Sequence, residues 1–454
     1  MLPKCVRMDS PQQGHEHPVL LTMPSYDGTL AAVRCLGDRG IPVTVAGDTP
    51  LAPARWSRYV TRWVSCPPVA EPERYLEWLV AFGKKEPGHV LYPTSDDLAW
   101  LFARHAHLLR QYFRLYQPPA ATLLQLLDKK ALYELCTELE IPSPRTLFPT
   151  SREDALAQAS ELGFPLVLKP RTQMFLETTS KGGVIASPAG LAEAYDRLVT
   201  RNAPHPSVRG ELPRVEHPML QSFVPDAAGD TYSISGFIAP DGGSVVRAAI
   251  KLLQRPRQVG VGVCFEEAAV DPRALADLQR LAARVGYFGV FEAEFVRGAS
   301  NRLQLIDFNP RFFGQMGFDV ARDMPLPYLA WLGAVGDEAR LRERLDAAQK
   351  WQHGAGYVYR NSAFLRLTLF LQGLSGGMSA EERQRWRHWL EVPKNPELAF
   401  DLVDSPHDPL PGVVSRVREV YWALRHPRAF FRKVVMGGAA VAITPALDLV
   451  AALF

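Results

Sequence analysis

The chain has 454 residues, 47% of them hydrophobic and 22% charged. That composition suits two or three globular domains and excludes a mostly disordered protein. Lys and Arg total 51 against 48 Asp and Glu, a formal net charge of +3, which speaks against a dedicated nucleic-acid binder. Residues 1–17 are charged and Pro/Gln-rich, lack the apolar core of an export signal, and are expected to form a flexible tail. The His15-Glu-His17 pair in that tail is an incidental feature rather than a metal site.

Val19–Met23 is a short apolar run stopping at Pro24, and Gly28–Gly40 carries helical spacing. A second strand at Pro42–Gly47, a helical stretch at Pro72–Lys85 and a strand at His89–Thr94 follow. Alternating strands and helices predict a parallel α/β domain over residues 18–118. Its first turn, Pro24–Gly28, lacks GxGxxG, so a dinucleotide site is rejected and most of this domain is expected to be scaffold. Asp96 and Asp97 follow a strand and are expected to cap the next helix. The five cysteines (Cys5, Cys35, Cys66, Cys136, Cys264) never form a CxxC, and they favour a reducing cytoplasm over a disulfide framework.

The pattern changes after Thr122. One helix is predicted over Leu124–Leu139, then a strand near Thr146–Phe148, a helix over Ser151–Leu162 and a strand over Phe164–Pro170. Met219–Val224 and Thr231–Gly236 read as strands, and Gly289–Phe313 as two strands and a turn. Residues 119–339 are therefore expected to be α+β and mostly antiparallel. Residues 340–433 are helical in flavour with a Pro-broken stretch from Val392 to Pro411, and 434–454 form an apolar tail.

The chemistry concentrates in Gly289–Arg311. Glu292 and Glu294 share one face of a strand, and Asp307 and Asn309 share one face of the next. A hairpin turn at Gly298–Asn301 would pair these strands and gather Glu294, Asp307 and Asn309. Two carboxylates and an amide oxygen that close together call for a cation, and all-oxygen ligands suit Mg²⁺ or Mn²⁺. Upstream, Lys169 ends an apolar strand and Lys129 opens a helix, each suited as a mobile charge for phosphate oxygens.

In this order the residues resemble the ATP-grasp superfamily, over roughly Thr122 to Leu332, behind an α/β unit that resembles the domain usually preceding that fold. The resemblance implies an N-terminal parallel α/β pre-ATP-grasp domain, a two-subdomain ATP-grasp fold and a helical C-terminal extension: α/β plus α+β. It further implies ATP as substrate, with Lys129 and Lys169 as phosphate-binding lysines. Thr179, Ser180, Lys181, Gly182 and Gly183 would form the loop over the phosphates, and Gln221, Ser222, Phe223 and Val224 the hinge beside adenine. Glu294, Asp307 and Asn309 would be the metal ligands. Gln221 stands where the family often has glutamate, Asp307 replaces the commoner glutamate, and the phosphate loop has two glycines only. Lys251-Leu-Leu-Gln-Arg-Pro256 with Gly260-Val-Gly262 is similar to the D-aspartate-ligase-like branch. Arg58-Tyr-Val60 and Asp408-Pro-Leu-Pro411 are weaker echoes of that branch.

The implied activity is ADP-forming carboxylate–amine ligation of small molecules through an acyl phosphate. Arg311, with a planar fork suited to a carboxylate or acyl phosphate, is the first catalytic candidate, and Lys251 with Arg255 the next. An ATP-grasp carboxylase or carbamoyl-phosphate-type synthetase is the alternative enzyme, and a nucleotide-binding scaffold or sensor the alternative of another class. The 434–454 tail admits three readings: a membrane anchor held at its basic flank on the cytoplasmic face, an interfacial hairpin, or a helix packed on the soluble body.

Overall fold

Three sheets follow one another along the chain, each closed before the next begins. The computed structural model describes residues 17–176, 182–201, 204–224, 231–255, 261–298, 301–351, 354, 356–376, 378–391 and 398–435. The first sheet holds β1 (Val19–Leu21), β2 (Val43–Gly47), β3 (Arg62–Ser65), β4 (Val90–Leu91) and β5 (Arg114–Leu115). All are parallel, in the order β3-β2-β1-β4-β5. Val19, Leu20, Leu21, Val43 and Val45 are buried, as a sheet covered on both faces requires. The edge strands β3 and β5 escape a hydrophobic reading because they carry Arg62, Ser65 and Arg114 and are partly exposed.

The second sheet holds β6 (Thr146–Leu147), β7 (Leu166–Lys169), β8 (Gly183–Ile185) and β9 (Met219–Ser222), antiparallel in the order β6-β9-β7-β8. The third holds β10 (Thr231–Ile238), β11 (Ser244–Arg255), β12 (Val261–Ala268), β13 (Gly289–Arg297), β14 (Leu303–Asn309), β15 (Val358–Arg360) and β16 (Ala399–Asp401). Its order is β14-β13-β10-β11-β12-β15-β16. The C-terminal region is mainly helical, as expected, and also lends β15 and β16 to this sheet, where they pair parallel with each other.

Two helices have sharp local causes. Pro272–Val285 starts where Asp271 accepts from the N–H groups of Arg273 and Ala274, and ends at Gly286, whose φ is +65°. It buries Leu278 and Leu281 against the third sheet's apolar face. The stretch expected to be one helix over Leu124–Leu139 is two, Ala120–Leu127 and Lys129–Glu138. The chain breaks at Asp128 because its side chain caps the Lys130 N–H and forms a bidentate pair with Arg171, at 2.6 and 2.7 Å.

One junction unites distant segments. Asp408 accepts from Arg34 Nε at 2.9 Å, Ser57 Oγ at 2.7 Å and the Arg58 N–H at 2.9 Å. Segments 350 residues apart thus form one contact that pins the C-terminal region to the first sheet's helix Asp27–Gly37.

Candidate active site

The β13–β14 hairpin supplies the floor of the site. The two strands pair antiparallel with Glu292 opposite Asn309 and Glu294 opposite Asp307, and the register then skips Ile306. Ala293, Phe295 and Phe308 turn into the core, which fixes the parity of the polar face. On the neighbouring β10, Ser235 lies opposite Glu292 and Ser233 opposite Glu294, short side chains that leave room above the floor. Across them from β11, the Lys251 ammonium binds the Glu294 carboxylate and lies 3.4 Å from Glu292. Lys129, at the start of its helix because of the break at Asp128, donates to Asp307 Oδ1 at 2.5 Å.

Glu292 anchors the network. It accepts from Gln315 Nε2 and, at 3.2 Å, from Asn309 Nδ2. The carboxyl and its partner Gln315 are both buried. Burial raises the Glu292 pKa against the lowering pull of Lys251. For Lys251, burial alone would lower the pKa, but Glu292 and Glu294 outweigh it and hold the ammonium firmly charged.

Arg311 joins this floor to the first sheet. Its Nη2 donates to Asn309 Oδ1 at 2.9 Å, its Nη1 to the Phe312 carbonyl at 3.0 Å and its Nε to Asp96 Oδ1 at 2.5 Å. Burial opposes its charge, yet Asp96 carries the pKa above the ordinary guanidinium value. The expectation that Asp96 and Asp97 cap a helix needs correction. Ser95 is the N-cap, accepting from the Leu98 N–H, which leaves Asp96 for Arg311 and Asp97 to accept from the Phe175 N–H at 2.5 Å. Burial lifts the Asp97 carboxyl to about 6.

These acids follow β4, and the Pro24–Gly28 turn follows β1. Strand order reverses between β1 and β4, the position where open parallel sheets take ligands. Gly28 is required there, since a Cβ would stand 2.4 Å from the Phe313 carbonyl oxygen. The first sheet therefore contributes more than scaffold: its two switch-point loops meet Arg311.

The four-stranded sheet offers fewer groups. Lys169, at the end of β7, donates to Gln221 Oε1 at 3.2 Å, and Gln221 Nε2 donates to Thr146 Oγ1 at 3.0 Å. Gln221 is thus buried as a bridge within the sheet, while Ser222, Phe223 and Val224 at the end of β9 are half-buried. Gly182 has φ +99°, and a Cβ there would come 2.1 Å from the Leu168 carbonyl oxygen, so the turn into Gly183 and β8 demands glycine. Thr179, Ser180 and Lys181 lie outside the described residues, as do the side chain of Arg255 and residues 436–454.

The structure thus brings together Lys129, Lys251, Glu294, Asp307, Asn309 and Arg311. Reading the sequence missed Glu292, Gln315 and Asp96 as participants. The i, i+2 spacing of Glu292 and Glu294 was a usable signal for the first. Asp96 meets Arg311 across 215 residues, a contact that no local pattern announces. Among the described residues no three His, Cys, Asp or Glu side chains gather as a preformed metal cage, and no helix is long and apolar enough to cross a membrane.

No family model matches the chain. A D-aspartate ligase from Enterococcus faecium is 27% identical over 162 residues, spanning 33% of this chain and 38% of that ligase, well under half of either protein. Among solved structures, the biotin carboxylase domain of Hydrogenobacter thermophilus 2-oxoglutarate carboxylase, in complex with MgADP and bicarbonate, matches at TM-score 0.56. That match has 14% identity and covers 70% of this chain and 69% of the other. An L-amino acid ligase from Bacillus licheniformis matches at TM-score 0.54 and 14% identity, covering 70% of this chain and 74% of the other. These neighbours share one architecture, and this chain has the same fold.

Proposed function

We propose that the chain is an ATP-dependent, ADP-forming carboxylate–amine ligase working through an acyl phosphate. The observation that carries this reading is the cross-strand pairing of Glu294 with Asp307, flanked by Asn309 and Arg311, with Lys129 and Lys251 from two other elements turned to the same space. The donor set fits Mg²⁺: two carboxylates and an amide oxygen, the carboxylates now each holding an ammonium group, in a fold whose neighbour binds MgADP. Mg²⁺ usually takes one or two carboxylates and completes its shell with water and phosphate. When bound on Glu294, Asp307 and Asn309, it would neutralise phosphate charge.

The chain's own residues then divide the work. Lys129 from its helix start and Lys169 from the end of β7 bind phosphate oxygens, Lys129 being released from Asp307 as the site fills. Gly182 lets the chain approach phosphate through its backbone, and Gly183 with Thr179, Ser180 and Lys181 continue that loop. Gln221 fixes Lys169, while Ser222, Phe223 and Val224 offer backbone to adenine. The acid's carboxylate oxygen attacks the γ-phosphorus and ADP departs. The amine then attacks the acyl carbon, phosphate leaves, and the amine's surplus proton is lost. Arg311 and Lys251 steady the negative charge of the acyl phosphate, and Asp96 keeps the Arg311 fork aimed. Little covalent chemistry falls to side chains, because positioning and charge neutralisation lower the barrier. The divisions at 118/119, 339/340 and 433/434 belong to the same proposal.

ADP release measured against a panel of amino acids and small acids, with and without amine and with bicarbonate as a separate arm, tests it. ADP formation that needs both an acid and an amine supports the ligase; dependence on bicarbonate alone would replace it with a carboxylase.

A further inference from the structure

The C-terminal helices carry an apolar surface that the fold does not use. Among the described residues, ten of the twelve large hydrophobic side chains that stand exposed lie between Leu367 and Phe431. Six lie on the helix Leu410–Arg425, where Val413, Val417, Val420 and Leu424, spaced four, three and four residues apart, make one stripe down one face, with Leu410 and Tyr421 also exposed. On the helix Ser362–Ser375, Leu367, Phe370 and Leu374 form a second stripe, with Leu374 74% exposed. Neither stripe is needed to hold its helix. Phe364, Leu365 and Leu369 of one and Trp422 of the other pack inward on a common cluster with Cys264 and Val434. The helix Ser362–Ser375 is tied to the segment Phe431–Val435, which follows the other helix, where Gln372 Nε2 and Ser375 Oγ donate to the carbonyls of Val434 and Val435.

Charge decides what this surface faces. Between 410 and 435 the sequence has six Arg or Lys and one acid, Glu419. Arg366, Arg425 and Arg428 are exposed beside the stripes. A second copy would bring the same excess of positive charge to an isologous contact, and like charges would oppose it. The apolar segment 436–454 has a single charge, Asp448, and cannot balance the basic flank. An amphipathic helix with arginines beside an apolar face matches the interface of an anionic lipid bilayer, where the apolar side chains enter the headgroup boundary and the cations meet lipid phosphates.

We propose that the helices Ser362–Ser375 and Leu410–Arg425 dock this protein on the surface of an anionic lipid bilayer, independently of the activity proposed above. The probe is flotation of the full chain with vesicles of phosphatidylcholine alone and of phosphatidylcholine mixed with phosphatidylglycerol. The chain should float with the anionic vesicles and be released by high salt. Val417→Glu with Leu424→Glu, and separately Phe370→Glu with Leu374→Glu, should each lower vesicle partitioning about tenfold or more while thermal midpoint and ADP formation stay unchanged. No flotation on anionic vesicles, or equal flotation on neutral ones, would overturn the proposal. Binding untouched by the four substitutions would assign it to 436–454 instead. A salt-sensitive dimer lost in the same variants, without lipid binding, would assign the surface to a second copy. The salt and lipid arms use the unmodified chain, so they decide even if a variant misfolds.

Discussion

The seven-stranded and four-stranded sheets prepare one site in different ways. On the floor, Glu294, Lys251, Glu292, Gln315, Asn309 and Arg311 form one chain of contacts and Lys129 holds Asp307 on the paired strand, so each acid holds a cation or an amide. On the roof, Lys169 is held by Gln221, and Gly182 serves by having no side chain. The floor is ordered by electrostatics and the roof by strand pairing. Loss of a floor residue should therefore abolish chemistry, whereas loss at the roof should weaken nucleotide binding first.

The largest effect expected is at the floor. Glu294→Gln or Asp307→Asn should cut Mg²⁺-dependent ADP formation by at least ~10²-fold with circular dichroism unchanged, since charge stabilisation of a transferring phosphoryl group is worth several kcal/mol. Retained turnover at saturating substrates would erase the contrast between the sheets. Next comes the tie between them. Asp128→Ala strands the buried Arg171 and frees the helix start that aims Lys129, and should cost about 3–5 kcal/mol of unfolding free energy by denaturant titration.

At the roof, Gly182→Ala should raise the KM for ATP about tenfold with a smaller change in kcat, because a methyl group there collides with the β7 backbone. A kcat loss as large as that of Glu294→Gln would show that the roof acts in the chemistry itself. The smallest effect is at Asp97. Burial raises its folded pKa to about 6, above the unfolded ~3.9, so the native state binds the proton more tightly and wild-type stability falls as pH rises from about 4 to about 6. Asp97→Asn lacks that group, so its melting temperature should gain on the wild type across this window and level off above it.

The floor was legible in the sequence because alternation along a strand is a local property. The parity of Glu292, Glu294, Asp307 and Asn309 needed only a turn at 298–301 to become a face. Lys129 and Lys169 were visible through resemblance, and the break that aims Lys129 was not, since it depends on Arg171 lying 43 residues from Asp128. The first sheet's part was hidden for the same reason. Tyr26 sits in a turn and Asp96 opens a helix, neither within a motif, and their place beside Arg311 arises from strand order. Strands β15 and β16 hid in a region of helical composition because three residues at a sheet edge leave almost no periodic signal.

The central claim is that a carboxylate attacks ATP and leaves as an acyl phosphate. It is tested most directly by supplying the acid identified in the ADP-release panel with both carboxylate oxygens labelled as ¹⁸O, then analysing the phosphate released with the amide. An acyl phosphate transfers one labelled oxygen to each phosphate, so the product should carry a single ¹⁸O per turnover. Phosphate free of ¹⁸O during amide formation would contradict the ligase mechanism.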